Sequence, residues 1–264
     1  MSTPLSANGQ TTFTISRIAA PVREQVERQL RQAITSGYFR PGDRLIEREL
    51  CALLGVSRSS LREALRQLEG EGLVVNIPHK GMVVATMTRE EAEEVFQVRA
   101  VVEGLAGRLC ADRMTEALET ALRTAMKQVE ATYESGNLAA LVAAKDQFYQ
   151  VLLDGCGNRT AGIVLQSLHD RIASLRVLTL TQPGRAVQSV AEMHRILEAI
   201  LAQDPQAACR ACIDHVEQAA AVAAQVLEQR SLEASDPEPR QEENSTTEQE
   251  SNFTGRKSLS STSP

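Results

Sequence analysis

The chain is 264 residues long, 42% hydrophobic and 3% aromatic, has no Trp, and carries a net charge of −6. That apolar content can build a sizeable core and two domains of ordinary size, yet no window reaches the roughly 18–20 unbroken apolar residues of a membrane span and the first residues lack the basic-then-apolar order of a signal peptide, so we expect a cytoplasmic protein with no membrane partner. The acidic total argues against nucleic acid, but it hides an asymmetry: residues 1–87 carry 11 basic and 8 acidic side chains, 88–230 carry 14 and 19, and 231–264 carry 3 and 7.

Ala, Leu, Glu, Gln and Arg fill most windows, which predicts a mainly α chain. Residues 1–16 are polar and without period, and read as a flexible arm. Pro21 opens a helix at a position where its missing amide costs nothing, and Val22, Val26, Leu30, Ala33 and Ile34 supply the buried stripe. Gly37 ends it, and Pro41-Gly42 predicts a type II turn. A helix over Ile46–Leu54 follows, then a turn at Gly55. Ser57 can cap the next helix, in which Leu61, Leu65 and Leu68 form one buried stripe while Arg58, Arg62 and Arg66 line up four apart on another face. A short helix, a tight turn and a second helix with a free basic face read as a DNA-reading helix-turn-helix. Leu73–Ile77 and Met82–Ala85, set around Pro78-His79-Lys80-Gly81, predict a β-hairpin, and Lys80 beside a glycine lets the backbone approach a phosphate or a minor groove. Three helices and a hairpin over 17–86 make a winged helix-turn-helix. Arg48, Ser57, Arg58, Ser59, Ser60, Arg62, Lys80 and Gly81 are its expected DNA-contact residues, on a double-stranded operator.

Thr88 and Glu91 form a capping box, and helical patterns then run over 88–112, 116–134, 138–154, 160–181, 186–203 and 206–230. With short loops between them, about six helices imply an antiparallel bundle over 88–230. Residues 231–264 have almost no apolar content and read as a disordered acidic tail. The five cysteines, at 51, 110, 156, 209 and 212, are odd in number and scattered through helical patterns, which suits reduced thiols.

The ordered string Ala33-Ile34, Gly37, Arg40-Pro41-Gly42-Asp43-Arg44-Leu45, Glu49-Leu50, Gly55-Val56-Ser57-Arg58, Leu61-Arg62-Glu63-Ala64-Leu65, Leu68-Glu69, Gly72-Leu73 and Gly81 resembles the DNA-binding domain of GntR-family transcription regulators. The resemblance implies DNA contacts by Arg48, Arg58, Arg62 and Gly81. The second half resembles the FCD effector domain of the FadR subfamily through Val98-Arg99, Glu103-Gly104-Leu105-Ala106, Gly157-Asn158, Glu192, His194-Arg195, Ile196-Leu197-Glu198-Ala199-Ile200 and His215. Six helices would place it in the VanR-like branch.

Such domains hold a divalent metal with an Asp and a His four apart on one helix and two later histidines, and the metal anchors a small carboxylate. Here the resemblance puts Lys145 at the Asp position and Tyr149 at the first His, with His194 and His215 as the later pair. An ammonium repels a divalent cation and a phenol ligates poorly unless its pKa falls, so no metal cofactor is expected. Lys145 then replaces the cation and receives the carboxylate, with Tyr149, Arg99, His194 and His215 as donors. A metal on Asp146, His194 and His215 is the weaker alternative, because Asp146 is rotated by about 100° around the helix. Arg99 and Glu103 are either a ligand fork or a plain intrahelical ion pair, Lys145 could also pair with Glu103 or Asp146, and His169 either borders the pocket or fills the core.

The expected function is a ligand-controlled transcription regulator, a repressor acting as a homodimer on an inverted repeat. The alternatives are a helical-bundle metal hydrolase fused to a DNA-binding module, and a constitutive DNA-binding dimer without effector.

Overall fold

The computed structural model describes residues 20–235. The expected arm over 1–16, and residues 236–264 of the expected tail, lie outside them.

The N-terminal part is α1 (Ala20–Thr35), α2 (Glu47–Leu54), α3 (Arg58–Gly70), β1 (Val74–Ile77) and β2 (Gly81–Val84). On α1 the buried stripe is Val26, Leu30 and Ile34; Val22, expected to join it, is exposed one turn before the packing begins. The turn at Pro41-Gly42 is type II, with the Asp43 amide donating to the Arg40 carbonyl at 2.9 Å and Gly42 at φ +89°. Beyond it the chain pairs with β2, since Leu45 N–H donates to Met82 O at 2.8 Å and Arg44 bridges Val83. No β-branched run announces that pairing, and the sequence reading missed it. Gly55 takes the left-handed conformation between α2 and α3, and Ser57 Oγ accepts from the Ser60 amide at 3.2 Å. Leu61, Ala64, Leu65 and Leu68 then bury against α1 and Leu50. The wing pairs β1 with β2 antiparallel, Val74 opposite Val84 and Ile77 opposite Gly81.

The second part is α4 (Arg89–Asp112), α5 (Glu116–Glu134), α6 (Leu138–Cys156), α7 (Arg159–Arg171), α8 (Ala173–Leu180), α9 (Arg185–Leu201) and α10 (Pro205–Ser235). The capping box at Thr88 is complete, and Thr115, Asn137 and Asn158 cap α5, α6 and α7. The single helix expected over 160–181 is instead two, meeting at Ile172 with φ −98° and ψ 6°. There is no Gly or Pro at the break. Ile172 is fully buried against Ala92, Val95, Leu175 and Val216, so tertiary packing turns the chain where local propensity would continue it. Among the described residues this part has seven helices, and the helix count gives no support to the VanR-like branch. The last helix also outruns its expected end at 230 by five residues.

The longest helices, α4 and α10, pack along one another, and small residues let them approach. A Cβ added at Gly107 would lie 2.5 Å from Cys212 Sγ and 3.0 Å from the Ala208 carbonyl oxygen. The main bundle core, around Leu122, Met126, Phe148, Leu152, Leu165, Met193, Ile196 and Ile200, lies beside this seam. All five cysteines are free.

Two glycine replacements separate packing from propensity. Gly107→Ala should cost about 1–3 kcal/mol, because overpacking a backbone contact outweighs the gain in helix propensity. Gly162→Ala, in α7 with no heavy atom within 4 Å of the added Cβ, should gain up to ~1 kcal/mol. Urea denaturation midpoints moving in the same direction for both would contradict this picture of the seam.

Candidate functional site

The basic face of the N-terminal part is assembled by the turn at Gly55 and the wing. Arg48, Ser57, Arg58, Ser59, Arg62, Lys80 and Gly81 are all exposed, and Ser60 is half-buried. Ser57 Oγ lies 2.9 Å from Ser59 Oγ and 3.0 Å from Ser60 Oγ, so hydroxyls cluster at the α3 N-terminus beside Arg58. Arg62 is engaged already, its Nε donating to both Glu47 carboxylate oxygens at 2.9 and 3.0 Å. That pair ties α3 to α2 across the turn. A cleft of about 460 Å³ between α3 and the wing is lined by Arg44, Arg62, Arg66 and Lys80. Arg44 was not on the expected list; the strand-like pairing that the sequence hid is what brings it here.

The second site is inside the bundle, where two carboxylates each organise a chain of donors. Arg185 grips Glu192 with two parallel bonds at 2.9 and 2.8 Å, His215 Nδ1 donates to Glu192 Oε2 at 2.6 Å, and Tyr149 Oη donates to His215 Nε2 at 2.6 Å. Arg99 Nε and His169 Nε2 both donate to Glu103 Oε1, at 2.7 and 2.8 Å. All seven side chains are buried. Lys145 is also buried, at 5% exposure, and its Nζ bonds only a neutral group, the Ser189 hydroxyl. Three buried cations thus face two buried carboxylates, and the cation left over is Lys145.

The electrostatics follow from that imbalance. Burial first, then Arg176 and Arg185, push the Lys145 amine down to about 7, against a smaller pull from Glu192. Burial lowers His215 to about 4 although Glu192 supports its charge, so the imidazole is neutral and accepts from Tyr149. The Tyr149 phenol is pushed up by burial and by Glu103, and keeps its proton. Burial disfavours the Glu103 carboxylate, but Arg99 and His169 outweigh it and hold the group ionised, well below the usual carboxylate range.

Of the expected ligand residues, Arg99, Lys145, Tyr149 and His215 come together, and all four line one cavity of about 20 Å³. His194 does not join them. Its side chain, 39% exposed, faces the other side of α9 and lies 3.0 Å from Glu130. The partner that α9 does supply is Glu192, with Arg185 and Ser189, all on the face that also buries Ile196. The three-, four- and seven-residue spacings among these four positions were readable as one stripe. Neither ion pair imagined for Lys145 forms: Glu103 goes to Arg99 and His169, and Asp146 goes to Arg176 at 2.5 Å. His169 belongs to the cluster rather than to plain core.

These residues do not fit a divalent metal. Lys145 puts an amine at one family position, Tyr149 puts a protonated phenol at the next, and His215 has both ring nitrogens engaged. The set Asp146, His194 and His215 is not brought together either, since Asp146 is exposed on the outer side of α6 and His194 on α9 pairs with Glu130. Among the described residues no group of three or more His, Cys, Asp or Glu side chains is placed to hold an ion.

The model of the bacterial regulatory proteins of the gntR family matches residues 22–84, and the FCD domain model matches 94–218. The HTH-type transcriptional regulator YdhC of Bacillus subtilis is 30% identical over 196 residues, covering 74% of this chain and 88% of that protein. The chain belongs to the GntR family. A second relative of this GntR regulator, 28% identical over 205 residues, with 77% of this chain and 88% of that protein covered, is named a probable D-xylose utilization operon transcriptional repressor, from Paenarthrobacter nicotinovorans. A crystal structure of a GntR transcriptional regulator from Rhodococcus sp. RHA1 superposes with a TM-score of 0.66 at 27% identity, over 78% of this chain and 97% of that one. GntR proteins with FCD domains are DNA-binding transcription regulators whose FCD domains bind small-molecule effectors, and not enzymes, so the hydrolase alternative falls away. No helix among the described residues is long and apolar enough to cross a membrane.

Two features connect the regulator's interior to its surroundings. Arg176 and Tyr149 line both the inner cavity and an outer cleft of about 380 Å³, whose rim includes Thr35 of α1. Arg176, lying 6.0 Å from the Tyr149 ring centroid and held by Asp146, is the partition. At the domain seam Arg31 of α1 bonds Glu27, Glu71 and, at 2.9 Å, Asp170 of α7. Asp170 directly follows His169, the donor to buried Glu103.

The depressed amine has a thermodynamic signature. Between about 7 and 10.5 the unfolded chain binds a proton at Lys145 that the folded chain does not, so this residue makes stability rise with pH through that window. Relative to Lys145→Met, the wild type should gain up to about 1.4 kcal/mol per pH unit there, read by urea denaturation at several pH values. A pH-independent difference would mean that Lys145 is not a buried, uncompensated cation.

Proposed function

We propose that the protein is a repressor that binds an inverted-repeat operator as a homodimer and releases it when a small carboxylate enters the bundle. One observation carries the ligand class: Lys145 is buried among Arg99, Arg176 and Arg185 and bonds only a hydroxyl. A buried cation without a counter-ion is costly, and an entering carboxylate supplies the missing charge together with charge-assisted hydrogen bonds. The repressor direction takes support from the name of the Paenarthrobacter relative. Pairing of two helix-turn-helix units with a two-fold operator is the reason for the homodimer.

The path from ligand to DNA runs through α7 and α8. The inner cavity holds no more than one water at its present size, so a ligand must displace the α8 side chains Arg176, Thr179 and Leu180 that wall it. Movement of α8 pulls on α7 through Ile172, and α7 carries both His169 and Asp170. The Arg31 contact then transmits the shift to α1 and, through Glu71, to the end of α3.

On DNA, Arg58→Ala should weaken operator binding by ~1–3 kcal/mol and relax preference at one base pair per half-site, if Arg58 reads a guanine. Footprinting with unchanged affinity and preference rules that role out.

The ligand reading is tested by operator binding measured against a panel of small carboxylates. One of them should release the wild type from DNA, and Lys145→Met should bind the operator normally while ignoring that compound. Arg31→Gln should still bind both DNA and the carboxylate, with release lost. A panel that stabilises nothing and releases nothing favours a constitutive dimer instead.

A further inference from the structure

We propose that Lys145 captures its ligand covalently, condensing with the carbonyl group of a small 2-oxo acid to form an imine while the surrounding arginines hold the carboxylate. This rests on the reading of the chamber as the ligand site and adds the class of ligand. The residue type is the starting point. A cradle built only to bind carboxylate would use guanidinium groups, and Arg99, Arg176 and Arg185 line the cavity with N–H groups beyond those bonded to Glu103, Asp146 and Glu192. A lysine placed among three arginines adds something they cannot, an amine with a nucleophilic lone pair. Neighbouring cations and desolvation are the two conditions that keep such an amine unprotonated, and Lys145 meets both: it is buried, and burial with Arg176 and Arg185 brings its pKa to about 7.

A hydroxyl that can relay the protons of the condensation lines the same cavity. Tyr149 stands one turn along α6 and lines the same cavity, with its phenol backed by neutral His215 and Glu192. Nζ adds to the C2 carbonyl carbon, a C–N bond forms, and the carbonyl electron pair moves to oxygen. A proton passes from nitrogen to that oxygen through the Tyr149 hydroxyl, giving the carbinolamine. The nitrogen lone pair then expels the oxygen as water, with one proton donated by Tyr149 and returned to it from nitrogen. One water leaves, and no oxidant or reductant is consumed.

The test is trapping with borohydride in the presence of pyruvate, with the full-length protein and peptide mapping by mass spectrometry. The expected result is near-complete labelling of the Lys145 peptide, by the mass of pyruvic acid less one oxygen atom, and loss of that label in Lys145→Met. Lactate, which has the carboxylate but no carbonyl, should compete for the site and leave no label. Equal labelling of Lys80 and Lys127 would show random surface chemistry and overturn the proposal. Binding of pyruvate, glyoxylate or 2-oxobutyrate without any adduct overturns the covalent step and leaves the carboxylate reading standing. If neither the 2-oxo nor the 2-hydroxy acids bind, this proposal falls, and the carboxylate reading stands or falls with the wider panel.

Discussion

Ions buried inside a helical bundle must answer to one another, because water is not there to screen them. Here Arg185 is matched to Glu192 and Arg99 to Glu103, each by short charge-assisted bonds. His215, Tyr149 and His169 extend those pairs as neutral donors. Lys145 is the charge with no partner, and its depressed pKa is the molecule's response to that. Removing either carboxylate would strand an arginine as well, and the bonds built on the two carboxylates tie α9 to α10 and α6, and α4 to α7, around the chamber. The same geometry that specifies the bundle therefore leaves a site of defined sign and shape.

The chamber is closed by the least regular element of the bundle. Helix α8 has only eight residues, no side-chain cap at its start, and begins at a residue shared with the end of α7. Such a segment is cheaper to move than α4 or α10, whose close approach at Gly104 and Gly107 resists displacement. Of the walls of the chamber, α8 is thus the weakest. Helix α7, which adjoins α8 at Ile172, meets the DNA-binding part through Asp170 and Arg31, and a Cβ at Gly72 would lie 3.3 Å from Arg171 Nε, so the end of α7 touches both α1 and the loop after α3. Short, direct contacts then connect the chamber to the helix that presents Arg58.

Much of this was legible in the sequence, because local chemistry and tertiary structure agree in most places. Pro41-Gly42, Gly55, Ser57 and the Thr88 capping box sit where their own backbone preferences put them, and the Leu61, Leu65 and Leu68 stripe is buried as its spacing implies. Lys145 and Tyr149, one turn apart, share the chamber with Arg99 and His215. The failures occur where a distant part of the fold decides. Ile172 breaks a strong helical pattern because it is drawn into the contact between α4 and α10. The Arg44 pairing depends on β2, which is far along the chain. His194 has its position on α9 set by the helix phase, which gives the inner face to Glu192 instead; the motif match selected His194, whereas the stripe Arg185, Ser189, Glu192 and Ile196 marks the inward face.

Calorimetric titration of a small carboxylate at about pH 8, in two buffers of different ionisation enthalpy, addresses the unpaired cation most directly. At that pH the free protein holds Lys145 largely neutral, and an anion bound beside it raises its affinity for a proton, whether the nitrogen becomes an ammonium or an iminium. Binding should therefore take up close to one proton per chain, and the uptake should vanish in Lys145→Met. Tight binding with no proton exchange in the wild type would mean that the carboxylate is held elsewhere and that Lys145 does not define the site.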